Sequence, residues 1–337
     1  MDVIPEDMRN PCPIDKINVI FRSLTVNVVF PPFILRRPKL MNTLTRFLKI
    51  LDDYQITDGQ NFKLDQYNPD EDGGFGLDKH DGKRLLKKVK TLLQSLQERL
   101  YANQNHSLLI ILQGMDTAGK DSTIKHVMSG VNPQGVGVTS FKQPGPTELL
   151  HGFLWRIHLS APQAGRIVIF NRSQYENVLI SRVHPDVLAR EHLSGDTQSP
   201  EFWQGRYSDI RHFEHYLARQ GTIVLKFFLH ISQEEQRQRL LARLDTPEKR
   251  WKFSPDDLRE REFWDNYTEA YQDAIAETAR PHAPWTIVPA NHKWYARLVV
   301  IGTIIRALRR LHQVMPQPTP EVMQQLDDYR LRLLNEK

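Results

Sequence analysis

Seven consecutive residues, Gly114-Met115-Asp116-Thr117-Ala118-Gly119-Lys120, have the types and spacing to hold a phosphoryl group. Two glycines let the backbone turn its N–H groups inward on an anion, and a lysine closing the loop reaches the outer phosphates. The apolar run at 108–112 (LLIIL) has the length of a strand buried on both faces, and Ile124, Val127 and Met128 recur after the loop at helical spacing. An ordinary loop of this kind continues with Ser or Thr, whose hydroxyl ligates Mg²⁺; here Asp121 follows the lysine, then Ser122 and Thr123. The chemistry is phosphoryl binding, in a form that departs from an ordinary ATPase.

Two further groups of residues could act on the same anion. The run RIVIFN at 166–171 reads as a second buried strand, ending in Asn171 and Arg172 where phosphate-loop proteins place a Mg²⁺-holding Asp. Asn171 reads either as a weak metal-site residue or as a strand-terminating turn residue. With Asn there, Asp116 is the nearest candidate metal carboxylate and Asp121 the second. Arg172 beside the loop can clamp phosphoryl oxygens in two-point fashion. The second group is the basic run 237–261: Arg237, Arg239 and Arg243 on a helix, Lys249, Arg250 and Lys252 in a Pro-containing loop, then Arg259 and Arg261. A mobile basic segment beside a phosphate loop excludes water and neutralises phosphoryl charge, although a dense basic run is often only a solvated face. Asp257 reads as a dipole-compensating or a catalytic acid, and Trp251 and Phe253 as the segment's own packing anchors. Lys142, after a short strand from Val136, faces the same crevice by position. The histidines lack metal-ligand spacing and read as structural.

The elements that must position these groups alternate. A helical stripe runs through Leu85, Leu86, Val89, Leu92, Leu93, Leu96 and Leu100, after a polar loop at 56–82. Strands are expected at 108–112, 136–141, 166–171, 222–229 and 285–288, and helices at 148–158, 202–219 and 295–311. Capping boxes are expected at Ser173–Glu176 and at Ser232–Glu235, and a helix start at Ser254-Pro255-Asp256-Asp257. Such alternation predicts an α/β fold with a parallel, doubly wound sheet and ligands at the carboxyl ends of its strands.

Composition narrows the class. The chain has 337 residues, 40% hydrophobic and 25% charged, with a net charge of +5 that favours an anionic partner. Cys12 is the one cysteine, which excludes an internal disulfide framework and fits a reducing cytoplasm. No apolar run approaches the roughly 20 residues of a membrane span, and 17–35 lacks the features of a secretory signal. Residues 1–40, with six prolines, read as an extension of unknown role or as sequence ahead of a true start at Met41. Residues 41–312 read as the catalytic domain, with the lid at about 237–262, and 313–337 as a polar helical tail.

Four motifs in order resemble the polyphosphate kinase 2 family: GMDTAGKDST at 114–123, GVNPQGVGVTSFKQP at 130–144, IFNRSQYENVLISRVHP at 169–185 and RLDTPEKRWKFSPDDLRER at 243–261. The resemblance runs from about Met41 to about Leu311, and Asn171 with the Gly-Met-Asp loop looks like the branch called class III. It implies a P-loop kinase-like, thymidylate kinase-like three-layer sandwich with a helical lid. It also implies Mg²⁺-dependent transfer between inorganic polyphosphate and AMP or ADP, and the choice between these and the guanine acceptors GMP and GDP stays open. Asp116 would orient the acceptor phosphate and hold Mg²⁺, and Lys120 would neutralise the transferring group. Arg172 and Arg182 would grip phosphate oxygens, and Arg239, Arg243, Lys249 and Lys252 would cover them. Gly114, Thr117, Ala118, Gly119, Asp121, Ser122, Lys142 and Asn171 complete the expected phosphate and nucleotide site. A homo-oligomer in the cytoplasm is expected, with neither membrane nor nucleic acid as partner. Two alternatives stand beside this: an ATP-dependent nucleoside monophosphate kinase, and a non-catalytic polyanion-binding protein.

Overall fold

The computed structural model describes residues 47–74 and 78–336, so the expectation for 1–40 lies outside the described residues. Six strands form one sheet in the order β1-β6-β5-β2-β4-β3. They are β1 (Gln55–Ile56), β2 (Ser107–Gln113), β3 (Val136–Ser140), β4 (Ile167–Asn171), β5 (Thr222–His230) and β6 (Trp285–Pro289). All neighbours pair in parallel except β1, which runs antiparallel to β6. The polar segment after residue 55 therefore carries a two-residue edge strand that alternating hydrophobicity is too short to reveal.

Helices of eight residues or more are α1 (Lys79–Asn103), α2 (Lys120–Val127), α3 (Glu176–Val183), α4 (Pro200–Arg219), α5 (Gln233–Asp245), α6 (Pro255–Glu262), α7 (Trp264–Thr278), α8 (Lys293–Arg310) and α9 (Pro320–Asn335). Six of them sort into two packed groups, α1 and α2 against α8, and α3 and α4 against α7. With the sheet these make the doubly wound α/β/α sandwich. β2 is buried at every residue because both neighbours and both faces are covered, which is why its sequence is an unbroken apolar run. The leucines of the α1 stripe are all buried.

Three local expectations are corrected. The helix expected over 148–158 is two short pieces, Pro146–Leu149 and Trp155–Leu159, interrupted around Gly152, which weakens a continuous helix. Ser173 does not cap α3; the N-cap is Tyr175, and Ser173 Oγ accepts instead from Gln113 Nε2 at 3.1 Å and Tyr175 N at 3.2 Å. Ser173, Gln174 and Tyr175 are wholly buried, and Tyr175 and Gln174 bond Glu214, which pairs with the buried Lys226 at 2.6 Å. A polar core thus pins the β4–α3 junction. Trp251 is no packing anchor: it is 77% exposed, because its turn (Pro247–Lys252) contains no buried residue. The Ser232 cap does form, accepting from Glu235 N at 3.1 Å.

Candidate active site

The loop leaves β2 at the middle of the sheet, between the carboxyl ends of β4 and β5. Gly114 has φ +153°, and a Cβ there would meet the Leu229 carbonyl oxygen of β5 at 2.9 Å. Gly119 has φ +106° as the N-cap of α2. These two positions need glycine for separate reasons, close approach and left-handed backbone. Thr117 is also left-handed, at φ +63°, and its Oγ1 is buried without a hydrogen-bond partner.

Three residues outside the loop fix its shape. Gln236 Nε2 donates to the Asp116 carbonyl at 3.1 Å. Arg239 Nη1 donates to the Thr117 and Ala118 carbonyls at 3.1 and 2.8 Å, while Nη2 donates to those of Ala290 and Asn291 at 2.5 and 3.1 Å. Glu235 accepts from Arg239 Nε at 2.6 Å. Tyr271 Oη accepts from Gly114 N at 3.2 Å. Among the described residues the N–H groups of Asp116, Thr117, Gly119 and Lys120 take no acceptor, so the loop turns donors toward the crevice.

Lys120 folds back over the loop, Nζ donating to the Gly114 and Met115 carbonyls at 2.6 and 3.3 Å. Burial pushes its pKa down and Arg172 adds to that, while Asp116, Glu176 and Asp121 oppose. Arg172 stands at the end of β4 with φ +64°. Its Nη2 lies 3.1 Å from Asp116 and its Nη1 3.7 Å from Glu176. Glu176 raises the guanidinium pKa most, against burial, and Asp116 helps. Asn171 Nδ2 donates to Asp121 Oδ1 at 2.8 Å, and the other oxygen of Asp121 lies 3.9 Å from Lys252 of the basic segment. Loop, second strand and basic segment therefore meet at Asp121.

The remaining expected residues divide. Ala118 is buried, and Ser122 Oγ donates to the Gly119 carbonyl at 3.0 Å, closing the start of α2. Arg243 is held within the basic segment, donating to Asp257 at 2.8 Å and the Lys252 carbonyl at 3.0 Å. Asp257 also accepts from Ser254 N at 3.3 Å, so it caps α6. Burial raises the Asp257 pKa most, and the Asp116 charge contributes. Lys249 and Lys142 are exposed, Lys142 following β3 at the sheet's edge. Arg182 is engaged elsewhere, with Asp273 at 2.8 Å and Tyr207 Oη at 3.0 Å, and no contact joins it to the loop among the described residues. The expected lid limits cut α5, whose Gln236 and Arg239 are tied to the loop. Gln236 sits one turn before Arg239 on the same helix, a spacing that signals a shared face. Tyr271 and Glu176 gave no comparable sign of their places beside the loop.

A backbone cradle at the end of the central strand, crossed by a lysine and flanked by an arginine under a basic cover, defines a P-loop phosphotransferase. The sequence says which one. A model of the polyphosphate kinase 2 family matches residues 76–315, and the chain belongs to that family. Membership makes it an enzyme, a kinase. It is 45% identical over 282 residues to the ADP-polyphosphate phosphotransferase of Rhodopseudomonas palustris, covering 83% of this chain and 97% of that protein. It is 46% identical over 265 residues to the AMP/ADP-polyphosphate phosphotransferase of Meiothermus ruber, covering 79% and 95%. The crystal structure of polyphosphate kinase 2 from Arthrobacter aurescens TC1 superposes with a TM-score of 0.76 at 41% identity, covering 83% of this chain and 95% of the other.

Proposed function

We infer that this kinase transfers a phosphoryl group from inorganic polyphosphate to AMP and ADP, reversibly and with Mg²⁺. The observation that carries the reading is the meeting of Lys120, Arg172 and Asp116 at one loop, in a chain of this family. An acceptor phosphate oxygen attacks the terminal phosphorus of polyphosphate; one P–O bond forms as the anhydride bond breaks, leaving polyphosphate one unit shorter. The acceptor oxygen is already anionic at neutral pH, so no strong base is required, and holding two polyanions in line is the main task. Lys120 exchanges its contacts with the loop carbonyls for the transferring phosphoryl oxygens. Arg172, braced by Asp116 and Glu176, presents a guanidinium that stabilises charge on the same oxygens.

Asp116 and Asp121 supply the hard oxygen donors that Mg²⁺ takes alongside phosphates and water, so the residues present fit the ion. Asp116 and Asp121 would hold the ion, which would supply charge neutralisation for the phosphates. Arg239 acts as a brace for the loop, and the covering segment begins beyond it, with Lys249 and Lys252 as its exposed cations. Gly114, Thr117, Ala118, Gly119, Ser122 and Asn171 shape the cradle, with Lys142 and Arg182 at its periphery. GMP and GDP are further acceptors, the enzyme is cytoplasmic, and it self-associates. The seam Val322, Leu326, Tyr329 and Leu333, exposed on α9, supports self-association.

Turnover of AMP, ADP, GMP and GDP, measured with polyphosphate alone and with ATP alone, tests the reading. Nucleotide phosphorylation with polyphosphate and no ATP is the expected result. Activity that requires ATP overturns it.

A further inference from the structure

The basic segment returns to the body of the protein at the end of α6, through contacts that the proposed chemistry does not use. No residue of α6 is buried, so apolar packing does not hold it. Its start is tied to the end of α5, where Arg243 donates to Asp257 at 2.8 Å. Its end is tied to the start of α5: Arg261 Nη1 donates to the Gln233 carbonyl at 2.8 Å and to Gln236 Oε1 at 2.7 Å. The neighbouring Glu260 Oε2 accepts from Tyr267 Oη of α7 at 2.6 Å and from His184 Nε2, just past α3, at 2.8 Å. A carboxylate only accepts, so the imidazole carries its proton on Nε2. The Phe263 ring meets the His184 ring edge-on, with centroids 4.8 Å apart. Burial first, then the bond to Glu260, raises the Tyr267 pKa, which keeps its hydroxyl a donor.

Gln236 is the link inward. It is 3% exposed, and its Nε2 donates to the Asp116 carbonyl at 3.1 Å. A side-chain amide has one accepting end and one donating end, and here the two neighbours decide which faces which. A guanidinium can only donate, so Arg261 takes the oxygen and leaves the nitrogen for the loop. Without Arg261 the amide is free to turn, and its oxygen would then face the Asp116 carbonyl, acceptor against acceptor. The Asp116 peptide matters to the reaction because the carboxylate of the same residue lies 3.1 Å from Arg172 Nη2. Arg261, Gln236, Asp116 and Arg172 thus form one chain of contacts from the basic segment to the arginine at the end of β4.

We propose that Arg261 is a positioning residue: by fixing the Gln236 amide it holds the Asp116 peptide, and so Arg172, in place for transfer while α6 is seated. Glu260, His184 and Tyr267 form the seat that keeps α6 there. The inference rests on the loop as the site of transfer and not on which donor is used. A displacement of about 1 Å in a reacting constellation can cost on the order of 10²-fold in rate, so a turned amide at the loop is felt in kcat.

The test is a double-mutant cycle on kcat with Arg261→Ala, Gln236→Met and the pair. Each single variant loses about tenfold, and the pair loses no more than about twofold beyond the worse single, because both break the same chain of contacts. Gln236→Glu keeps the acceptor for Arg261 but not the donor for Asp116, so it loses as much as Gln236→Met and replaces it where that variant does not fold. Arg261→Lys, also a pure donor, recovers part of the rate. Glu260→Ala and His184→Ala speed tryptic cleavage at Lys249 to Lys252 and lower kcat together, whereas Glu260→Gln, which still accepts, does neither. Losses that multiply to about a hundredfold in the pair overturn the relay, as does an unchanged kcat in Arg261→Ala whatever happens to its thermal midpoint. A raised KM for the donor with kcat intact makes Arg261 a phosphate ligand and overturns it as well. Cleavage at wild-type rate in Glu260→Ala removes the seat. Rates are read with polyphosphate or, where wild type uses only ATP, with ATP, so failure of the donor reading leaves the cycle decisive.

Discussion

Replacing Arg239 with alanine separates two tasks, bracing the loop and touching phosphate. Arg239 is 8% exposed, and its guanidinium donates to four carbonyls, those of Thr117, Ala118, Ala290 and Asn291, and to the Glu235 carboxylate. Truncation leaves these acceptors without their donor and Glu235 without its charge partner. Removing one partner of a buried, hydrogen-bonded pair costs about 3–5 kcal/mol. An unfolding entropy of about 2.1 cal/mol/K per residue over roughly 290 residues gives ~0.6 kcal/mol/K, so Tm falls by roughly 5–8 °C. Arg239→Lys keeps a charge but has three donors on one atom for acceptors spread over two loops, so it recovers only part of the loss. Differential scanning calorimetry of the two variants and wild type measures the shift, with kcat and KM taken well below each midpoint. An unchanged Tm with a large rise in KM for polyphosphate would make Arg239 a phosphate ligand and refute the brace.

The other expectations concern single groups. Lys120→Ala lowers kcat by about 10²–10³ in steady-state assays, because its charge serves the transferring group, and near-normal turnover removes it from the mechanism. Arg172→Ala costs a similar factor, about 10²–10³, and Arg172→Lys recovers little, because an ammonium cannot span Asp116 and Glu176 in two-point fashion; full recovery with lysine refutes the clamp. Asn171→Asp places a second carboxylate against Asp121, so activity falls and demands more Mg²⁺; an unchanged Mg²⁺ dependence counts against the contact. His230 is held down to about 4, by burial first and against a hydrogen bond that the imidazole donates to the Tyr67 backbone carbonyl. Its folded pKa lies below the unfolded value of about 6.5, so below that pH only the unfolded chain takes up the proton. Stability falls between about pH 6.5 and 4, by about 3 kcal/mol. His230→Gln flattens this window in urea midpoints measured against pH, and an identical pH profile excludes His230 as its source.

How legible a residue was in the sequence depended on how local its partners are. Gly114, Gly119 and Lys120 act within one loop, so their types and spacing announced the cradle. Arg172 was legible through its place at a strand end. Ser173, Gln174 and Tyr175 looked like a helix start because a capping box is a local pattern. Their partners Gln113, Glu214, Thr278 and Lys226 come from β2, α4, α7 and β5, which no local pattern foretells. Arg239 shows the same limit in another form. Its charge and its neighbours in the chain placed it with the basic cover, but the four carbonyls that hold it come from two distant loops. Trp251 failed for the opposite reason: a large aromatic suggests burial, and its short turn supplies nothing to bury it against.

Asp121 and Asn171 are one feature in two places. Read singly, an acid after Lys120 is a defect in a phosphate loop, and an amide at the end of β4 is a missing metal ligand. In the fold the two side chains are 2.8 Å apart, and the amide donates to the carboxylate. Two carboxylates at that separation could not both stay ionised without a cation between them, whereas an amide satisfies one oxygen and leaves the other toward Lys252. The loop carries the acid, and the strand carries the amide that donates to it. The Asp121 carboxylate also joins the loop to the basic cover, which a serine or threonine hydroxyl at 121 would not do by charge. The departure that made the loop look unlike an ordinary ATPase is thus the point where loop, second strand and basic segment meet.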